Sequence, residues 1–484
     1  MIDVVHEAMY IAGRMERMGN VIPIFNPAAI SSQVGEIVTG GVEEANRAVE
    51  SAQEAWPAWA NTPVARRAGH LETIARYIVA NESNLAELLV LENGKLRSEA
   101  IGELRGAVGV LRFYASLAEE FSRDIRKADA RGTVTLSRQP TGVVSVIVPW
   151  NAPVQLGFLM IAPGIVAGNC LVVKPSNLAP LTLTRILVEL AQQLPPGVLN
   201  IVPGGGTTVG AALVSHPKVR KISFTGSTAV GRTIMEQAAR TLKNVSMELG
   251  GNDAAIILKD ADLDDRLFHG LAQGVFTSAG QICYAVKRIY VHQDIYRTFL
   301  EGFRETAGQI RVGAGLDPTS TMGPVHNRDQ LNQIQYLIEQ AKSAGAVVEA
   351  VGDFVEGVDP EAGYFMLPHI VHDVEQSNPL VREEQFGPVV PIVPFATEDE
   401  AIQLANDTEF GLGNSIWTRD VERAHELAKR LQSGSVFLNV HRVGASAADM
   451  PFGGFKQSGI GRGHAVEGLH EHTELQAIIH RIDM

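Results

Sequence analysis

Cys283 is one of two cysteines in a chain of 484 residues, and it ends the small-residue stretch Phe276-Thr277-Ser278-Ala279-Gly280-Gln281-Ile282-Cys283, which can present a thiol at a loop surface. A thiol that is partly ionised near neutral pH attacks carbonyl carbon and leaves a thioester that water can open. Glu248, in Met247-Glu248-Leu249-Gly250-Gly251-Asn252, lies between a β-like run and two glycines, where a general base can sit at a strand's end in a cleft. Asn151, in Pro149-Trp150-Asn151-Ala152-Pro153, is an amide held in a stiff turn. It can stabilise an oxyanion together with the Cys283 main-chain N–H, or cap the helix that follows. A glycine-rich loop, Pro451-Phe452-Gly453-Gly454-Phe455-Lys456, can close over such a centre. Cys170, at the mouth of the apolar run Leu171-Val172-Val173, reads as a core thiol.

A chain of this length exceeds the size at which one core stops growing, so two or more domains are expected. Hydrophobic residues make up 45% and charged residues 20%, the balance of a chain that folds throughout. A net charge of −13 gives no basic surface for a phosphate backbone, so no nucleic-acid partner is expected. Two cysteines make no disulfide framework and nothing spaces Cys and His as zinc ligands, so no metal and a reducing cytoplasm are expected. His464, His470, His472 and His480 read as solvated or interface histidines rather than ligands.

The segment Met1 to Asn20 carries Asp3, Glu7 and Glu16 and does not read as a signal peptide. Val154 to Val173 is uncharged and long enough to cross a bilayer, but Gly157, Pro163, Gly164, Gly168 and Asn169 favour a buried helix, a turn and a strand, and no membrane partner. Apolar residues at helical spacing predict helices over 41–60, 65–81 and 84–92. From Gly142 short β-rich runs alternate with helical stretches, which predicts a parallel sheet covered on both faces; a second such series begins near Ala254. Two sheets imply two lobes with a cleft. Thr133–Gln139 and Thr473–Arg481 fit neither series.

The four motif stretches, in this order and at these separations, resemble the NAD(P)-dependent aldehyde dehydrogenase superfamily, from about residue 20 to the C-terminus. The resemblance implies an α/β fold with two Rossmann-like lobes and a small β oligomerisation flap. Residues 1–120 and 141–252 would form the dinucleotide-binding domain, 253–455 the catalytic domain, and 121–140 with 456–484 the oligomerisation segment of a homodimer or homotetramer. The implied reaction is oxidation of an aldehyde to the carboxylic acid: Cys283 attacks, Asn151 holds the oxyanion, and Glu248 activates water.

Gly226 and Gly231, in Phe224-Thr225-Gly226-Ser227-Thr228-Ala229-Val230-Gly231, follow a strand and open a helix as phosphate cradles do. Their spacing is not GxGxxG, and the resemblance supplies the specificity for NAD or NADP. By the same resemblance Trp150, Lys174, Ser176, Ser227, Leu249, Glu384 and Phe386 complete the coenzyme set. Where many NAD-preferring members carry an acid three residues after the lysine, this chain has Asn177, which does not repel a 2′-phosphate. That favours NADP slightly.

Ala152, Leu156, Leu159, Ile282, Tyr284 and Phe452 would line the substrate tunnel, with His441 and Arg442 on the preceding loop. The apolar and aromatic balance favours an aromatic or medium-chain aliphatic aldehyde; Arg442 leaves an acidic semialdehyde open. The rival readings are a CoA-acylating semialdehyde dehydrogenase, against which Glu248 argues, a binding protein with a dead site, and a cysteine hydrolase.

Overall fold

The computed structural model describes residues 4–129, 132–442, 444 and 448–481; the outermost residues of the expected domain ranges, 1–3 and 482–484, lie outside it. The first lobe is built on an eight-stranded sheet in the spatial order Gly459–Ile460, Asn244–Glu248, Val219–Thr225, Val143–Ile147, Cys170–Lys174, Leu199–Ile201, Met9–Ile11, Arg14–Glu16. The five strands from Asn244–Glu248 to Leu199–Ile201 are parallel, and antiparallel strands close both ends. Val143–Ile147 and Cys170–Lys174 are buried along their whole length, as central parallel strands with helices on both faces must be.

Helix Val42–Ala60 begins where Glu44 Oε2 accepts the Gly41 N–H at 2.8 Å, satisfying a free donor of the first turn. Helix Pro153–Ala167 starts on a proline, which loses no hydrogen bond there, and ends at Gly168 with φ 94°, a left-handed position that suits glycine. With the strand Cys170–Lys174 it accounts for the long uncharged segment. No helix among the described residues is long and apolar enough to cross a membrane. The longest helix, Arg97–Phe121, packs against Val64–Ala80 and Pro153–Ala167 and was not apparent from sequence periodicity.

The second lobe carries a seven-stranded sheet in the order Val347–Ala350, His369–His372, Val389–Phe395, Val286–His292, Asp253–Ile257, Gly413–Trp417, Ser435–Leu438. All neighbours are parallel except the first pair. The two segments that fit neither lobe pair with each other: Gly132–Pro140 runs antiparallel to Thr473–Arg481 on one side and to Ile125–Asp129 on the other.

Candidate active site

Asn151 and Glu248 come from the carboxyl ends of first-lobe strands, where parallel α/β sheets place their ligands. Cys283 comes from the loop between helix Asp265–Phe276 and strand Val286–His292 of the second lobe. That loop has an unusual backbone: Ser278, Ala279 and Gly280 have φ of 52°, 53° and 73° in succession. Two of the three are not glycine, so the surroundings must hold them in place. Glu99 Oε1 accepts the Ser278 N–H at 2.6 Å, while Glu99 Oε2 accepts that of Leu96 at 2.8 Å. Gly280 packs against the Gly387 carbonyl so closely that a Cβ would collide with it. Gln281 Oε1 accepts the His326 N–H at 2.9 Å, and Lys287 Nζ donates to the carbonyls of Ile282 at 2.8 Å and Cys283 at 2.7 Å.

The turn carrying Asn151 is fixed just as firmly. Asn93 Nδ2 donates to the Trp150 carbonyl at 2.8 Å and Lys95 Nζ to the Asn151 carbonyl at 2.9 Å. Lys95 is ion-paired with Glu103, both deeply buried, and Glu103 Oε1 accepts the Val154 N–H at 2.8 Å. Glu103, not Asn151, therefore serves the start of the helix Pro153–Ala167. The Asn151 side chain is left to reach across: its Nδ2 donates to the Gln281 carbonyl at 3.0 Å, two residues before Cys283. Trp150 stacks on His326 at 4.5 Å and meets Phe386 edge-on at 5.7 Å.

Burial and the charges around Cys283 oppose ionisation of its thiol. Burial pushes the Cys283 thiol up to about 12; Lys287 pulls against it, while Glu384, Asp253 and Glu248 add to it. Burial also raises the Glu248 carboxyl to about 8, opposed by Arg462 and the Gly463 N–H. Glu248 Oε2 has no hydrogen-bond partner among the described residues, so one carboxylate oxygen is free to take a proton. Cys170 is fully buried in the first core, its thiol also raised to about 12 by desolvation.

The coenzyme candidates gather along the same carboxyl edge. Lys174 is buried at the end of its strand, its Nζ donating to the Pro175 carbonyl at 3.1 Å, and desolvation lowers it to about 8. It packs under Gly210, in the turn Gly206–Gly210. Asn177 Oδ1 accepts the Gly204 N–H at 3.1 Å, and Ser176 Oγ that of Leu178 at 3.2 Å. Ser227 caps the helix Thr228–Ala239, accepting the Val230 N–H at 3.4 Å.

The two glycines expected to cradle phosphate also allow close packing. The Gly226 N–H is taken by the Glu248 carbonyl at 3.1 Å, and a Cβ on Gly226 would collide with the Phe224 ring. At Gly231 a Cβ would sit 2.7 Å from Leu249 Cδ2, so this glycine lets the helix close onto Leu249. Glu384 Oε1 accepts the Gly251 N–H at 3.1 Å and lies 3.7 Å from Lys287 Nζ; its other oxygen packs where a Cβ on Gly250 would be. Gly250 thus makes room for Glu384, and Gly251 for the Cys283 carbonyl. A buried ammonium at Lys174, the glycine turn beside it and a carboxylate at Glu384 are groups of the kind that can hold a dinucleotide's hydroxyls and phosphates.

On the other side of Cys283, Tyr284 and Phe452 meet edge to face at 5.6 Å, and His464 stacks on Phe452 at 5.1 Å. Ala152, Leu156, Leu159 and Ile282 are half-buried nearby in sequence to Asn151 and Cys283, and Arg442 is exposed. His441, on the loop before Arg442, is fully buried, with Nδ1 2.9 Å from Ser415 Oγ and Nε2 2.9 Å from the Tyr284 carbonyl. His472 and His464 likewise depart from the solvated reading. His472 is buried, bonded to the Gly468 carbonyl at 2.8 Å, and burial lowers both rings, to about 3 and about 4. The described residues hold no cluster of three or more metal-ligating side chains.

Asn93, Lys95, Glu99, Glu103, His326 and Lys287 were not singled out by sequence reasoning, because each acts through a partner far along the chain. Lys287 alone left a local signal, as one of two adjacent cations in the apolar run Ala285 to Val291.

Residues 15–478 match the model of the aldehyde dehydrogenase family. The chain is 36% identical over 463 residues to mitochondrial succinate-semialdehyde dehydrogenase of Arabidopsis thaliana, covering 94% of this chain and 85% of that one. Its fold superposes on betaine aldehyde dehydrogenase of Staphylococcus aureus in complex with NAD+ with a TM-score of 0.93 at 33% identity, covering 97% and 94% of the two chains. It also superposes on an NADP-dependent enzyme of E. coli with a TM-score of 0.92 at 34% identity, covering 97% of each.

Proposed function

Because the chain belongs to the aldehyde dehydrogenase family and is an aldehyde dehydrogenase, we propose that Cys283 is its nucleophile, Asn151 its oxyanion donor and Glu248 the base that releases a carboxylic acid. The observation that carries this reading is the hydrogen bond from Asn151 Nδ2 to the Gln281 carbonyl, which brings an amide of one lobe beside the thiol of the other. Sγ of Cys283 adds to the aldehyde carbon as its proton passes to Glu248 and on to solvent, and the oxygen's growing charge falls to the second Asn151 proton and the Cys283 N–H. Trp150, Lys174, Ser176, Asn177, Gly226, Ser227, Gly231, Leu249, Glu384 and Phe386 would hold NAD or NADP, which when bound would supply the hydride acceptor. Glu248 then takes a proton from water as that water attacks the thioester, and Cys283 leaves as the thiol.

The aromatic wall of Tyr284, Phe452 and His464 supports an aromatic or medium-chain aliphatic aldehyde. A semialdehyde is the second reading, supported by exposed Arg442 and by the succinate-semialdehyde dehydrogenase relative. Asn177 supports a slight preference for NADP. Exposed Leu475, Ile478 and Ile479 on the strand Thr473–Arg481 support a homodimer or homotetramer formed through the flap, and the lack of cysteine pairing supports a cytoplasmic site.

The test is reduction of NAD and of NADP by benzaldehyde, hexanal and succinate semialdehyde, in wild type and Cys283→Ala. Reduction that survives in the alanine variant removes Cys283 from this role, and the best pair identifies coenzyme and substrate class.

A further inference from the structure

Lys287 is buried, 3% exposed at its side chain, in the central strand Val286–His292, and it is placed where three acids and the thiol converge. Its ammonium donates to the carbonyls of Ile282 and Cys283 at 2.8 and 2.7 Å and stands 3.7 Å from Glu384 Oε1. The ring of Phe386 lies 5.9 Å away, on the loop that also carries Glu384. These contacts use the ammonium on two separate chain segments at once: the nucleophile loop and the segment 384–386. We propose that Lys287 is a positioning residue of this active site, a single buried cation that ties the Cys283 loop to Glu384 and supplies the positive charge facing the nucleophile. The proposal rests on Cys283 being the nucleophile, as argued above.

The surroundings make the charge count. Glu384 faces Lys287 from its loop, Asp253 from the neighbouring strand Asp253–Ile257, His441 from the loop after Ser435–Leu438, and Arg288 follows it on its own strand; Glu248 and Tyr284 are further titratable groups acting on Cys283. Neither carboxylate oxygen of Asp253 has a hydrogen-bond partner among the described side-chain contacts, and Asp253 is raised to about 7 by burial, with Lys287 the foremost charge pulling it down. Arg288 directs its guanidinium elsewhere, to the carbonyls of Asn252, Leu404 and Ala405. Of the charges acting on the Cys283 thiol, Lys287 favours the thiolate, while Glu384, Asp253 and Glu248 oppose it. A neutral side chain at 287 would therefore leave the loop carbonyls without their donor and the thiol among acids alone.

The experiment is the rate of Cys283 alkylation by iodoacetamide against pH, read by mass spectrometry of the intact chain. It needs no aldehyde and no turnover, so it fails independently of the dehydrogenase reading, which the Cys283→Ala assay addresses. Buried Cys170 serves as the internal slow site. Lys287→Met is expected to slow Cys283 alkylation about tenfold at a given neutral pH, displacing the profile about one unit toward alkaline pH. Asp253→Asn is expected to displace it the opposite way. A Lys287→Met profile that stays in place or moves toward acid overturns the proposal. Should that variant not fold, as judged by circular dichroism, Lys287→Gln, which keeps a donor for the loop carbonyls and loses only the charge, decides: an unmoved profile or one displaced toward acid overturns the proposal.

Discussion

Asn151 Nδ2 and the main-chain carbonyl of Gln281 are 3.0 Å apart, so one proton of the amide is spent on holding the two lobes in register, and the proposed oxyanion role falls to the other. A donor fixed in this way needs no reorientation when charge develops, which is where its value lies. Asn151→Ala is expected to lower kcat by about 10²- to 10³-fold, with a smaller change in KM. Steady-state kinetics on the preferred aldehyde checks it; a loss confined to KM would remove the oxyanion role.

Glu248 is raised to about 8 by burial, so its proton-accepting form dominates only above that pH. Hydrolysis of the thioester should accelerate as pH rises through this region and fade below it. Glu248→Gln should cost about 10²- to 10⁴-fold in turnover and abolish that pH dependence. The first turnover should survive as a burst of reduced coenzyme, visible by stopped flow; a variant without a burst would place Glu248 before, not after, thioester formation.

Gly280 has φ 73° and its α-carbon faces the Gly387 carbonyl. Gly280→Ala must bear a left-handed non-glycine residue and push that carbonyl away, and a shift of about 1 Å at Cys283 is enough to cost about 100-fold in rate. Thermal unfolding should shift down along with activity. Full activity with an unchanged Tm would show that the loop has a second arrangement.

Lys95 and Glu103 form a buried pair, 4% and 5% exposed at their side chains, beneath the Asn151 turn. Removing one partner strands the other, and Lys95→Met or Glu103→Gln should each destabilise by about 3–5 kcal/mol. Replacing both with apolar residues should recover part of the stability but not the activity, because the Asn151 carbonyl still lacks its donor. Denaturant unfolding of the single and double variants measures both effects.

Asn177 stands close to Gly204 through its own Oδ1. Asn177→Glu keeps an acceptor there and adds a negative charge that a 2′-phosphate would meet. The ratio of kcat/KM with NADP to that with NAD should fall by at least about tenfold, the equivalent of about 1.4 kcal/mol. An unchanged ratio would move coenzyme selection to another residue.

Much of this molecule was determined by local sequence. The alternation of β-rich and helical runs after Gly142, the proline at the start of Pro153–Ala167 and the glycine at its end specify elements through short-range backbone physics, and the strand Thr473–Arg481 was read with its observed bounds. The motif residues Cys283, Glu248 and Asn151 were legible because their small and stiff neighbours mark turns and strand ends. What the tertiary structure alone decided is what those neighbours do. Gly226 and Gly231, which resemble a phosphate cradle in sequence, make room for Phe224 and Leu249, Gly250 makes room for Glu384, and Gly251 for the Cys283 carbonyl. His441, read only as part of the loop before the tunnel, is a buried brace for Tyr284. Lys287, Glu99 and Glu103 acquire their roles only when distant segments meet, since a charge becomes decisive through burial and partners, and neither is a property of its position in the chain.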